Sequence, residues 1–70
     1  MRILIAGATG YLGRRLVKEA HARGHVVRAL VRTPERLADA ADSVDEVFVG
    51  QATDPSTLDG LCDGVDVVIT

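Results

Sequence analysis

Short apolar runs alternate with longer stretches of helical periodicity along this 70-residue chain. The runs at residues 3–6, 26–31, 44–49 and 65–70 predict four β-strands, because each is rich in Val, Ile or Leu and is followed or preceded by turn residues. The first run is apolar on both faces, which is typical of a strand in the buried centre of a parallel sheet.

Residues 11–23 predict the first helix. Its apolar positions recur with a period of 3.6 and share one face: Leu12, Leu16, Val17 and Ala20. Gly24 follows the last basic residue and is expected to cap the helix in the left-handed conformation.

Two further helices are predicted from a cap residue followed by proline. Thr33 and Pro34 open a short helix that ends near Ala41 and turns Leu37, Ala38 and Ala41 inward. Asp54 and Pro55 open a third helix, which buries Leu58 and Leu61, contains Gly60 and ends at Asp63-Gly64.

The resulting order β-α-β-α-β-α-β predicts an α/β fold, since right-handed crossovers place such strands in one parallel sheet with helices on both faces. We expect the spatial strand order 3-2-1-4 of a Rossmann-type, doubly wound parallel sheet. A chain that stops on an apolar strand favours residues 1–70 as the N-terminal, dinucleotide-binding half of a larger domain.

The most informative motif is Gly7-Ala8-Thr9-Gly10-Tyr11-Leu12-Gly13, which follows the first strand and opens the first helix. Gly7 allows the sharp turn, Gly10 allows a diphosphate to approach the backbone, and Gly13 allows the helix to pack closely on the sheet. The helix N-terminus would then hold the diphosphate; the alternative is a strand-to-helix turn without a ligand. The candidate binding residues here are Gly7, Thr9, Gly10, Tyr11, Leu12 and Gly13.

The G-x-x-G-x-x-G spacing resembles the N-terminus of short-chain dehydrogenases/reductases, in particular the atypical or extended branch that includes NmrA-like and NAD(P)H-binding proteins. The turn at 22–25, the segment 27–32, Asp54-Pro55 and the segment 64–66 extend the resemblance over the whole chain. It implies a Rossmann fold that binds NADP or NAD. Members of such families include reductases, epimerases, dehydratases and redox sensors.

The end of the second strand bears on the choice of cofactor. NAD-binding proteins carry an acid about 20 residues after the glycines, and this chain carries Arg32 there. Arg32, together with Arg36, can pair with the 2′-phosphate of NADP, which would favour NADP(H) over NAD(H) by about a hundredfold. The alternatives are a solvated strand-end charge for Arg32 and an exposed helix charge for Arg36.

Gln51 departs from the family pattern, in which Gly-Asp follows the third strand and the acid contacts the adenine amino group. Here the residues are Gly50 and Gln51. The amide oxygen of Gln51 can accept the same hydrogen bond, although its charge and reach differ.

Charge is divided unevenly along the chain. Residues 1–32 contain seven Lys or Arg and one acidic residue, whereas residues 33–70 contain one Arg and nine acidic residues. The basic half suits a ligand with several phosphates. The alternative is that its cations form a solvated helix face. The acidic half argues against binding of nucleic acid, which it would repel. The residues expected on solvated faces are Arg14, Arg15, Lys18 and Arg23 on the basic side and Asp39, Asp42, Asp45 and Glu46 on the acidic side. Arg28 is expected to be structural or exposed.

Composition excludes several protein classes. A hydrophobic content of 47% argues against disorder, and the absence of an apolar run of about 18 residues argues against a membrane span. Two aromatic residues are too few for a base-stacking surface. The single Cys62 cannot form an internal disulfide, so a reducing cytoplasm is expected, with Cys62 buried in the third helix.

No catalytic group is predicted within these residues. The Tyr-x-x-x-Lys pair of the resembled family is absent, since Tyr11 and Lys18 have the wrong spacing. His21 and His25 have helical metal-binding spacing, but Gly24 ends the helix between them and no third ligand is near.

We therefore expect the cofactor-binding segment of an oxidoreductase, whose full-length form would transfer hydride to or from a small organic substrate. The alternative is a non-catalytic NADP(H) sensor of the NmrA-like type; a methyltransferase is disfavoured because it would want an acid where Arg32 stands. An exposed fourth strand would also permit pairing between copies.

Overall fold

The computed structural model describes residues 1–51 and 59–69. Strand β1 spans Arg2–Ala6, helix α1 Tyr11–Ala22, strand β2 Val26–Val31, a 3₁₀ helix Pro34–Ser43, strand β3 Glu46–Val49 and strand β4 Val67–Ile69. All strand pairs are parallel and the spatial order is β3-β2-β1-β4, which confirms the predicted α/β topology. Strands β3 and β4 are shorter than predicted.

Each face of the sheet has its own apolar cluster. On one face, α1 contributes Val17 and Ala20, which pack against Ile5, Val27 and neighbouring strand residues. On the other face Leu4 and Leu30 pack with Leu61. Burial of these side chains is the main force that holds α1 and the sheet together.

Helix α1 follows its prediction at both ends but not along its whole face. Gly24, at φ 82°, ends it in the predicted left-handed conformation. Leu12, predicted to face inward, is 67% exposed. The first turn of α1 extends beyond the carboxyl end of β1, so the sheet does not cover Leu12, which lies in a surface depression with Leu16 and Ile69.

The second predicted helix is a kinked 3₁₀ helix. Thr33 has the extended backbone of an N-cap, but its side chain makes no capping hydrogen bond. Ala38, at φ 53° and ψ −128°, interrupts the helix. Leu37 is buried as predicted, whereas Ala38 and Ala41 are exposed and Ala40 is buried, because the kink shifts the inward face by one position.

Two aspartates align the strands at the amino end of the sheet. The Val27 N–H donates to Asp45 Oδ2 at 2.8 Å, and the Asp45 N–H donates to the Val27 carbonyl at 2.9 Å. Asp66 pairs with Arg2 in the same way: the Arg2 N–H donates to Asp66 Oδ2 at 2.8 Å, and the Asp66 N–H donates to the Arg2 carbonyl at 2.9 Å. Asp45 is exposed, as expected for a residue on a solvated face, but its carboxylate also accepts a backbone hydrogen bond. Each aspartate thus closes a hydrogen-bonded ring that sets strand register.

The segment before β4 is a series of turns. Gly60 has φ 75°, so it is not helical, and Leu61 is buried as predicted. Cys62 is exposed rather than buried, because helical periodicity does not apply to this segment. The predicted helix start at Asp54-Pro55 and the predicted burial of Leu58 lie outside the described residues.

Arg28 ties this turn to the sheet. Its side chain is buried, and Nη1 donates to the carbonyls of Leu61 at 2.6 Å and Asp63 at 2.9 Å. Nη2 donates to Glu46 at 3.2 Å, and the guanidinium carbon lies 5.1 Å from the Phe48 ring centroid. Arg28 was expected to be either structural or exposed, and the structural role is confirmed. Glu46, which was expected on a solvated face, forms an ion pair with Arg28.

Neither of the two helices that the structure describes is long and apolar enough to cross a lipid bilayer.

Replacement Ala38→Gly is expected to stabilise the protein by about 1 kcal/mol, because glycine adopts a positive φ without steric strain. The matched control is Ala41→Gly in the same element, which should destabilise by about 0.5–1 kcal/mol. Urea unfolding measures both. Equal destabilisation by the two replacements would show that the Ala38 backbone is unstrained.

Replacement Arg28→Met is expected to lower the free energy of unfolding by about 3 kcal/mol, since it leaves two carbonyls and a carboxylate without their donor. Arg2→Met is the control: Arg2 approaches the same Glu46, but at 3.9 Å and half-exposed, so the loss should stay below about 1 kcal/mol. Similar losses for both variants in denaturant unfolding would contradict this role for Arg28.

Candidate functional site

A crevice lies at the carboxyl ends of the parallel strands, where ligands bind in open α/β sheets. It has a volume of about 220 Å³. Residues after β1, β2 and β3 border it, and five of them are predicted site residues: Gly7, Thr9, Arg32, Arg36 and Gln51. Thr33 and Gly50 also line it; sequence reasoning missed them as site residues, although Gly50 directly follows a predicted strand and Thr33 directly follows Arg32.

A second depression continues across the glycine turn. It shares Ala6 and Gly7 with the crevice and extends along the start of α1. Its lining includes the remaining predicted site residues: Gly10, Tyr11, Leu12 and Gly13. The fold therefore places every predicted site residue on one continuous surface, and cofactor binding by each of them stays a prediction.

The three glycines of the turn differ in what the structure demands of them. Gly7 has φ 74°, which favours glycine. A Cβ on Gly13 would lie 2.2 Å from the Gly7 carbonyl oxygen and 2.9 Å from Ala8 Cα, both backbone atoms. A Cβ on Gly10 would lie 3.5 Å from the Gly7 oxygen, an ordinary contact. Packing thus requires glycine at position 13 but not at position 10.

The first turn of α1 is electrostatically open to an anion. Gly10 is the N-cap residue and offers no side-chain acceptor, and the first turn contains no acidic residue. The N–H groups at a helix start have no intrahelical acceptors, and the helix dipole adds partial positive charge. This arrangement suits a phosphate group against the amides that follow Gly10.

Arg32 and Arg36 add full positive charge on the β2 side of the crevice. Both are exposed, and neither forms an ion pair within the described part of the chain. An anion at the crevice would therefore not have to displace a carboxylate from either guanidinium.

The outer side of α1 carries a further cleft, lined by Tyr11, Arg14, Arg15, Lys18 and Asp39. Lys18 Nζ donates to Asp39 Oδ2 at 2.6 Å. That hydrogen bond and the charge of Lys18 hold the pKa of the Asp39 carboxyl below its ordinary value.

Tyr11, a predicted cofactor-binding residue, is 73% exposed and borders both the cleft and the depression across the glycine turn. The Arg15 guanidinium carbon lies 5.8 Å from its ring centroid. Among residues 1–51 and 59–69, no three His, Cys, Asp or Glu side chains group closely enough to hold a metal ion.

A family model described as NAD(P)H-binding matches residues 7–70. The photosystem II assembly factor Ycf39 of Synechocystis is 36% identical over 69 residues, which cover 99% of this chain and 21% of that protein. The 3-diazoavenalumate denitrifying reductase of a Streptomyces species is 50% identical over 54 residues, covering 77% of this chain and 16% of that protein. The chain thus spans about a fifth of the length of these curated relatives.

Among solved structures, AtPrR2 with NADP⁺ and (+)-pinoresinol is 31% identical and superposes with a TM-score of 0.74. The match covers 96% of this chain and 24% of that one. The similarity agrees with the parallel sheet and strand order described above.

Replacement Gly13→Ala is expected to destabilise the protein by about 2–3 kcal/mol, because backbone atoms would have to move to admit the methyl group. Gly10→Ala places the same methyl group three residues earlier and should change stability by less than about 1 kcal/mol. Thermal and urea unfolding measure the difference. A Gly13→Ala variant as stable as Gly10→Ala would refute the close approach.

Proposed function

The chain belongs to the NAD(P)H-binding family, and from that premise we propose that it is the N-terminal cofactor-binding part of a longer oxidoreductase of the short-chain dehydrogenase/reductase type that prefers NADP(H). The observation that supports this most is that an open helix N-terminus and the two guanidinium groups of Arg32 and Arg36 lie on two adjoining depressions that share Ala6 and Gly7.

The glycine turn fits a dinucleotide diphosphate. Gly10 has no packing reason to lack a side chain, so the space above it is available to a ligand. The amides of Tyr11, Leu12 and Gly13 would hold the diphosphate oxygens, with Thr9 at the edge of the crevice. Gly7 and Gly13 allow the turn and helix α1 to approach closely enough for these amides to hold the diphosphate.

Arg32 and Arg36 would select the phosphorylated cofactor. A guanidinium group matches a phosphate with two parallel hydrogen bonds and also stacks on a planar ring. Both arginines are exposed and line the same crevice as Gly7, so a 2′-phosphate can reach them while the diphosphate stays at the turn. Gln51, which also lines the crevice, is the proposed adenine contact.

When bound, the nicotinamide cofactor supplies a hydride donor or acceptor; the residues described here bind and orient it. The small organic substrate would be bound, and the proton-transfer groups supplied, by the rest of the longer protein. One structural neighbour holds both NADP⁺ and (+)-pinoresinol. We propose a cytoplasmic location for this protein.

A non-catalytic NADP(H)-responsive regulator is the second candidate. It is favoured by one relative whose name describes an assembly factor rather than an enzyme. Both candidates use the same cofactor crevice, and turnover of bound NADPH by the full-length protein separates them.

The full-length protein is expected to bind NADPH about a hundredfold more tightly than NADH at one fixed salt concentration. Arg32→Ala should weaken NADPH binding by about tenfold to a hundredfold and leave NADH binding nearly unchanged, because only NADPH carries the 2′-phosphate. Calorimetric titration of both nucleotides measures the ratio.

Gly10→Ala is the companion variant, because a methyl group over the turn should weaken both nucleotides alike. Equal affinities of the unaltered protein for NADPH and NADH would remove Arg32 from its assigned role. Binding of neither nucleotide would refute the proposed function.

A further inference from the structure

The cations of this chain fall into two sets according to their partners. Four form ion pairs with carboxylates: Arg2, Lys18, Arg23 and Arg28. The other four form no ion pair in the part of the chain that the structure describes: Arg14, Arg15, Arg32 and Arg36. Two members of the second set line the crevice and have a proposed role, whereas Arg14 and Arg15 do not.

Arg14 and Arg15 lie beside the crevice but outside it. They line the cleft on the outer side of α1, and Tyr11 belongs both to that cleft and to the depression across the glycine turn. With a rise of about 1.5 Å per residue, they stand about 5–6 Å along the helix axis from Tyr11. Neither borders the crevice itself.

Their charge therefore acts on the depression across the glycine turn, which Tyr11 borders. The Debye length is about 10 Å at 0.1 M ionic strength, so two cations at this distance raise the local potential without contact. The neighbouring Lys18 contributes little, because Asp39 neutralises it at 2.6 Å. The acidic side chains near this pair of arginines already have partners: Asp39 pairs with Lys18, and Glu19, which borders a depression with Arg15, pairs with Arg23 at 2.8 Å.

We propose that Arg14 and Arg15 steer the anionic dinucleotide toward the crevice and thereby set its association rate and part of the preference for the phosphorylated form. This inference rests on the proposed function. Charges at the rim of a site act mainly on the association rate and its salt dependence, whereas charges in contact with the ligand act on dissociation. The 2′-phosphate adds about two negative charges, so NADPH should be steered more strongly than NADH.

The test is stopped-flow binding of NADPH and NADH to the full-length protein over a range of ionic strength. The double variant Arg14→Gln/Arg15→Gln should lower the NADPH association rate by about threefold to tenfold near 0.02 M salt, and by less than about 1.5-fold near 0.5 M. The dissociation rate should stay unchanged, and the loss for NADH should be smaller.

The matched control is Arg2→Gln/Arg23→Gln, which removes the same charge from paired arginines far from the crevice. Arg23 lies about 18 Å along the helix axis from Tyr11, and Arg2 begins β1 at the opposite end of the sheet. These replacements should leave the association rate within about 1.5-fold of the original.

Three outcomes for the association rate would overturn the inference: no change in the Arg14/Arg15 variant, a loss that salt does not abolish, or an equal loss in the control. A faster dissociation in the Arg14/Arg15 variant would assign these side chains a direct contact instead and overturn it too. These outcomes occur in a protein that binds NADPH, so they leave the proposed function intact. Failure of the unaltered protein to bind either nucleotide would refute both.

Discussion

The structure depends on one steric constraint, the approach of helix α1 to the turn that precedes it. At Gly13 the helix comes so close to the backbone of Gly7 and Ala8 that a Cβ would stand 2.2 Å from a carbonyl oxygen. This approach seats Val17 and Ala20 over β1 and β2. It also leaves the opening amides of the helix at the carboxyl ends of the strands, where a crevice forms. Core packing and the geometry of the candidate site thus have the same origin.

The two ends of the sheet use charge in opposite ways. At the amino end, Asp45 and Asp66 accept backbone hydrogen bonds, and Arg28 is buried against Glu46 and two carbonyls. These charges are engaged in holding strands and turns in register. At the carboxyl end, Arg32 and Arg36 have no ion-pair partner among the described residues. A ligand phosphate can therefore use charge that the fold does not need for its own stability.

Local patterns predicted the glycine turn and the left-handed Gly24, because each depends on residues close in sequence. The alternation of strands and helices, with the right-handed crossover rule, predicted the strand order. They failed where burial depends on what lies opposite. Leu12 has the correct helical phase but no strand beneath it, and Cys62 lies in a turn rather than a helix. Arg28 binds carbonyls of a turn more than thirty residues away, which no local pattern could identify. Its position in the middle of the apolar run at Val26–Val31 did indicate that a buried charge there needs a polar partner.

In the proposed complex, backbone amides at the start of α1 hold the diphosphate of NADP(H). The most direct measurement is the backbone amide NMR spectrum of the isotope-labelled full-length protein during titration with NADPH. The account predicts that the amides of Tyr11, Leu12 and Gly13 shift saturably with the same dissociation constant as the binding itself. Saturable binding that leaves these three amides unshifted, while amides elsewhere move, would contradict it.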